Sequence, residues 1–225
     1  MNNLPAVTKN LLIINILCFL GMHVAERYGI DLNQVLGLHF FLASDFNPAQ
    51  LFTYMFMHGN FNHLFFNMFA VWMFGRTLEH VWGPKRFLFY YIVCGLGAGV
   101  VQEGVQYIQY ATQLAPYANA DIGGMIIPMS DYLNLMTTVG ASGAVYGILL
   151  AFGMLFPNSE MFVIPIPFPI KAKYFVIGYV LLELFLGIGG PADGIAHFAH
   201  LGGMIFGFLL IMYWKKNRNN GQFYF

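Results

Sequence analysis

The sequence predicts an all-α membrane protein, a polytopic bundle of six transmembrane helices with both termini on the cytoplasmic side. Three observations carry this expectation. Of the 225 residues, 58% are hydrophobic and only 9% are charged, whereas a soluble domain is about a quarter charged. Long tracts contain no Asp, Glu, Lys or Arg at all. The basic residues fall almost wholly on one side of the spans those tracts define.

The charge-free tracts are residues 10–25, 46–75, 87–102, 132–159 and 194–214. A helix needs about 20 apolar residues to cross roughly 30 Å of hydrocarbon, so each tract can hold one span. Residues 174–188, interrupted by Glu183, add a sixth. Backbone groups in lipid must be satisfied within the protein, and the tracts lack barrel-like alternation, so the spans are helices. With the N-terminus inside, Lys9, Arg76, Lys85, Arg86, Lys171, Lys173, Lys215, Lys216 and Arg218 are all cytoplasmic, and only Arg27 is outside. That asymmetry is what orients a membrane protein.

The first apolar run lacks a charged leader and a small-residue cleavage site, and reads as a retained span rather than a signal peptide. Of the outer loops, 28–48 is long and partly apolar, 103–131 is long and carries Asp121 as the one charge between its acidic ends, and 189–193 is short and glycine-rich. There is no internal repeat, and residues 1–225 form a single domain. Net charge is zero, with no basic run to favour nucleic acid. Cys18 and Cys94 sit in apolar runs and read as packing residues rather than a disulfide or a metal pair.

Polar residues inside the spans are the functional candidates, because burying them in lipid is costly. Ser142 lies in Gly140-Ala141-Ser142-Gly143. Pro157 stops the fourth span near Phe156, and counting back to Ser142 gives roughly 20 Å. A helix that starts at Ser142 therefore submerges it about 10 Å below the outer surface. His200 lies roughly 9 Å down the sixth span. The second span carries His58 near its top, with His63 and Asn67 lower. Three spans thus bring polar side chains to one depth, which requires a water-filled cavity.

Glycine spacing adds geometry. Gly143 and Gly147 on the fourth span, and Gly203 and Gly207 on the sixth, are small-xxx-small pairs that let two helices approach closely. That approach would bring Ser142 within reach of His200. Ser142 and Tyr146 are one turn apart, so Tyr146 could stack beneath the imidazole. His63 and Asn67 are also one turn apart and would offer donors to an oxyanion.

Taken singly, each feature has a plainer reading. Gly-x-Ser-Gly is commonly a packing motif, and Asn67 an interhelical hydrogen bond. A lone intramembrane histidine can be a proton relay or a haem ligand. Glu183 could be functional, with a hydrogen-bonded structural role as its plainer reading, and His23, His39 and His80 carry no chemistry. The plain readings do not predict the joint occurrence at matched depth.

Three motifs in order, His58-x4-His63-x3-Asn67, Gly140-x-Ser142-Gly143-x2-Tyr146 and Ala199-His200-x2-Gly203-x3-Gly207, resemble the rhomboid intramembrane serine proteases. The resemblance covers nearly the whole chain. It implies Ser142 as nucleophile, His200 as general base, an oxyanion hole of His63, Asn67 and the Ser142 N–H, and His58 as a supporting polar group. Ala-His occurs twice in Ala196-His197-Phe198-Ala199-His200, but only His200 has glycine three and seven residues later. His197 then lines the cavity one turn above. The segment Gly75-x3-Glu79-x2-Trp82-Gly83-x2-Arg86 is similar to the family's cytoplasmic turn. Where the family often has Trp-Arg in the first outer loop, this chain has Ala49-Gln50, which leaves that loop's anchoring open.

No third carboxylate is required, since a neutral imidazole can activate a serine and packing with Tyr146 can orient it. The resemblance implies no cofactor, no metal and no nucleic acid. It implies a bacterial inner-membrane location, with the site opening to the outer face. The substrate would be the transmembrane helix of another protein, entering between the second and fifth spans under loop 189–193. Two rival classes are a catalytically dead rhomboid-like binding protein and a small transporter or channel. The presence of both Ser142 and His200 argues against the first, and a nucleophile has no place in the second.

Overall fold

Pro5 stands at the N-cap of helix α1 (Ala6–Glu26), where its fixed φ suits a helix start. The free N–H groups of that first turn are satisfied from another helix. The Glu79 carboxylate accepts from Val7 N (2.9 Å), Thr8 N (2.7 Å) and Thr8 Oγ1 (2.7 Å). Three acceptor contacts on a buried carboxylate tie the start of α1 to the helix that carries Glu79.

The computed structural model describes residues 4–162, 168–189 and 196–217, of which 71% are helical. After α1 come α2 (Leu32–Leu36), β1 (Leu38–His39) and α3 (Gln50–Thr53), the last running into a 3-10 turn, Tyr54–Phe56. Helix α4 (Phe61–Ala70) continues through a π turn, Val71–Gly75, into α5 (Arg76–Trp82), with right-handed helical dihedrals at each joint. Gly83, at φ 78°, makes the left-handed corner that starts α6 (Pro84–Gln109). A hairpin of β2 (Asn119–Ile122) and β3 (Met125–Pro128) turns on Gly123 and Gly124, both at positive φ. Then follow α7 (Met129–Leu135), β4 (Thr137–Thr138), α8 (Ser142–Leu155), β5 (Glu160–Met161), β6 (Ile170–Lys171), α9 (Ala172–Gly189) and α10 (His197–Lys216).

Among the described residues, four helical stretches are long and apolar enough to cross a membrane: Ala6–Glu26, Pro84–Leu114, Ala172–Gly189 and His197–Lys216. Ser142–Leu155 is a shorter apolar helix. The protein is a multi-pass membrane protein.

Several sequence expectations need correction. Tract 46–75 is not one helix. Residues before Phe61 form short turns, so His58 precedes the helix instead of lying near the top of it. Apolar composition cannot separate a helix from an irregular segment packed in protein, and Met55, Met57 and His58 are indeed buried. The third span outruns its tract, reaching Leu114 through a π turn. Glu103 is therefore in a helix rather than a loop, buried and accepting from Phe41 N at 2.7 Å. Gly189 closes α9; the rest of loop 189–193, Gly194 and Arg218 lie outside the described residues.

The segment between α1 and α3 is anchored by Gln50. Its Oε1 accepts from Asn47 N (3.0 Å) and His39 N (3.3 Å), and its Nε2 donates to Asp45 O (3.0 Å) and Val35 O (3.2 Å). One buried amide meets four backbone groups, which answers how Ala49-Gln50 can stand in this loop.

Candidate active site

Helix α8 starts at Ser142, and the turn before it requires Gly140. Gly140 has φ 127°, and a Cβ there would lie 2.7 Å from the His63 ring. Gly140 is thus a turn glycine, distinct from the helix-packing glycines Gly143, Gly147, Gly203 and Gly207. Its N–H donates to Tyr54 O at 2.9 Å. The β1–β4 pair joins Leu38 to Thr138 and carries the segment after α2 up to this turn. The first N–H groups of α8, at Ser142 and Gly143, are without intrahelical partners because they begin a helix.

Helix α10 meets α8 through glycine. A Cβ on Gly203 would overlap the backbone carbonyl of Gly143, so no side chain fits there. Gly147 faces α6, where a Cβ would lie 2.5 Å from Cys94 Sγ and 3.2 Å from Gly203 O. Gly207 also faces α6, against the Tyr90 hydroxyl. Tyr90 OH donates to Gly147 O at 2.8 Å. The four glycines therefore pack three helices together, and the tightest backbone approach they give α8 and α10 is the Gly143–Gly203 contact.

That contact sets the central distance. His200 Nε2 lies 2.9 Å from Ser142 Oγ. An imidazole nitrogen at that separation can take the hydroxyl proton. Tyr146 lies against the same ring, centroids 4.2 Å apart and planes 7° from parallel. Ser142 is half-buried, whereas His200 is buried.

The His63 ring fills the space beside Gly140, two residues before Ser142. Its backbone N–H caps α4 by donating to Asn60 Oδ1 at 2.9 Å. Asn67, one turn on, is buried, and its Nδ2 has no hydrogen-bond partner among the described residues. His58 is fully buried 5.1 Å from the His63 ring, with both ring nitrogens likewise unpartnered. Unpaired buried donors are costly in a finished core, and the His58 ring lies beside the His63 ring that borders Gly140.

A carboxylate that the sequence reading set aside completes the group. Glu183, on α9, is buried, and its Oε1 accepts a hydrogen bond from the Tyr146 hydroxyl. Its Oε2 lies 2.6 Å from His197 Nδ1 and 3.0 Å from His200 Nδ1. The second approach has ion-pair distance but not the alignment of a hydrogen bond. His197, expected to line the cavity, thus turns to Glu183, while His200 reaches Ser142. The available signal was a single acid in an otherwise apolar span, a class of residue functional by default. Glu183, His197 and His200 offer ligand atoms within 4.8 Å of one another, a spacing that could admit a metal ion. Both histidine nitrogens converge on one carboxylate oxygen, an arrangement suited to donors around an acceptor.

A rhomboid domain is recognised over residues 46–217. The chain is 28% identical over 159 residues to rhomboid protease AarA of Providencia stuartii, covering 69% of this chain and 52% of that protein. It is 28% identical over 160 residues to rhomboid protease GluP of Bacillus subtilis, covering 71% and 24%. A chloroplastic rhomboid-like protein 11 from Arabidopsis thaliana matches at 26% over 231 residues, covering 96% and 69%. The chain spans about half the length of the first of these relatives and about a quarter of the second. With a recognised domain over most of its length and the three motifs gathered around one serine, the chain belongs to the rhomboid family.

Proposed function

We propose that the protein is an intramembrane serine endopeptidase that cleaves transmembrane segments of other membrane proteins. The observation that carries this is the 2.9 Å separation of Ser142 Oγ and His200 Nε2 at the start of an apolar helix. His200 takes the hydroxyl proton as Ser142 Oγ attacks the scissile carbonyl carbon, and the tetrahedral intermediate places its negative charge on the former carbonyl oxygen. His63, Asn67 and the Ser142 N–H stabilise that oxyanion, with His58 supporting His63. His200 then returns the proton to the leaving amine, and water hydrolyses the acyl-enzyme by the same route.

The proposed setting is a six-span domain with both termini cytoplasmic, in a bacterial inner membrane, with the site opening to the outer face. The basic-residue asymmetry supports that orientation. The substrate helix unwinds near its outer end and enters laterally between the second and fifth spans. A binding protein without chemistry would have no use for a serine and imidazole in hydrogen-bond contact.

The test is labelling of purified protein in detergent by a fluorophosphonate, together with cleavage of a single-span reporter. Labelling and cleavage in the parent, both abolished in Ser142→Ala, are expected. A parent that neither labels nor cleaves would end the protease reading.

A further inference from the structure

The geometry points to Glu183 as a positioning carboxylate for His200, held in place by Tyr146 and His197, so that the site operates as a Ser142–His200–Glu183 array. This rests on the protease reading and deepens it.

The first argument concerns the tautomer. His200 Nε2 can accept the Ser142 proton only if it is unprotonated, so the neutral ring must carry its hydrogen on Nδ1. An acceptor on the Nδ1 side selects that form, and Glu183 Oε2, at 3.0 Å, is the group there. The second concerns charge. When His200 takes the serine proton it becomes a cation in a buried site, and a buried charge is tolerated only when paired. Glu183 supplies the opposite charge beside the nitrogen that holds the proton throughout.

The third argument is that Glu183 is itself fixed. A carboxylate accepts several hydrogen bonds, and this one receives the Tyr146 hydroxyl on Oε1 and His197 Nδ1 on Oε2 at 2.6 Å. Those contacts come from α8 and α10, the two helices that carry Ser142 and His200. Tyr146 therefore acts twice, stacking on the imidazole and holding the acid that faces it. The oblique approach to His200 Nδ1 makes the effect smaller than in an aligned triad, where amide replacement of the acid costs about 10⁴ in kcat.

A merely structural Glu183 would staple α8, α9 and α10 and affect turnover only through folding. The separating experiment uses the full chain in detergent, with kcat and KM measured on a single-span reporter for the parent, Glu183→Gln, Glu183→Asp and Ser142→Ala. The glutamine keeps the shape but offers an amide N–H to Nδ1, which favours the wrong tautomer. The expected result is a fall in kcat of about a hundredfold, within the range of acid–base contributions, with KM within threefold of the parent and partial recovery of kcat in Glu183→Asp. A kcat for Glu183→Gln within threefold of the parent overturns the proposal. So does loss of folded protein restored in full by Glu183→Asp with parental kcat and KM together. If Glu183→Gln does not fold, Glu183→Asp decides alone: kcat lowered about tenfold at unchanged KM supports the proposal, and parental kcat overturns it. Stoichiometric zinc in the purified parent that is lost in Glu183→Gln would make the carboxylate a metal ligand and also overturn it. A Ser142→Ala protein that still cleaves would overturn the protease reading itself, a failure distinct from any of these.

Discussion

The Tyr146 ring lies flat on His200, 4.2 Å away and 7° from parallel, while its hydroxyl donates to Glu183. Stacking and hydrogen bonding can be separated by substitution. Tyr146→Phe keeps the stack and loses the hydrogen bond, worth about 1 kcal/mol or roughly fivefold in rate. Tyr146→Leu loses both and should fall well below the phenylalanine variant. Equal reporter cleavage by the two variants would show that the stack contributes nothing.

His200→Ala should abolish cleavage and leave a folded protein, since its ring faces the serine rather than filling the core. His197→Ala should retain measurable cleavage, lowered because Glu183 loses one of its holders. Parallel reporter assays on both variants check this, and an inactive His197→Ala beside an active His200→Ala would reverse the assignment.

His63→Ala and Asn67→Ala should each slow turnover without preventing fluorophosphonate labelling of Ser142. Removing one oxyanion donor typically costs about 2.7–4 kcal/mol in the transition state. A change under about threefold, less than 1 kcal/mol, would make both residues structural.

Gly203→Val should lose activity and melting temperature together, because any side chain there meets the Gly143 carbonyl. Displacing the helices by about 1 Å can cost on the order of a hundredfold in rate. Gly147→Val should behave similarly by pushing on Cys94, 2.5 Å from the added Cβ. Variants that melt and cleave like the parent would remove helix contact as the source of the Ser142–His200 distance.

Gln50→Ala should lower stability by about 2–3 kcal/mol, four backbone contacts being lost at roughly 0.5–1.5 kcal/mol each with partial compensation by water. The expected signature is a lower melting temperature in detergent with catalytic constants near those of the parent. An unchanged melting temperature would mean that the loop is held by its apolar packing instead.

What was legible in the sequence had a period or a stop signal. Pro157 and the glycine before Ser142 bracket a helix that does run from Ser142 to Leu155. A spacing of four residues was enough to anticipate Tyr146 beneath the imidazole, because a helix turn fixes that relation. Residues 46–60 were not legible, since protein interior and lipid select the same apolar side chains while only one demands a helix. Gly140 looked like the other small residues because composition does not reveal a positive φ. Glu183 was legible as an oddity but not as a neighbour of His200, because its contacts depend on how α9 leans on α8 and α10. Nothing within one helix encodes that.

Among the four candidate spans of the described residues, α9 is the most lightly seated, 17% buried inside the protein against 44% for Pro84–Leu114 and for His197–Lys216. The same helix carries Glu183. An element that swings aside to admit a substrate would carry the carboxylate away from His200, and its return would restore the contact. An open doorway and a fully armed imidazole would then be mutually exclusive states, so that water reaching the serine before a substrate is seated would find the weaker form of the catalyst.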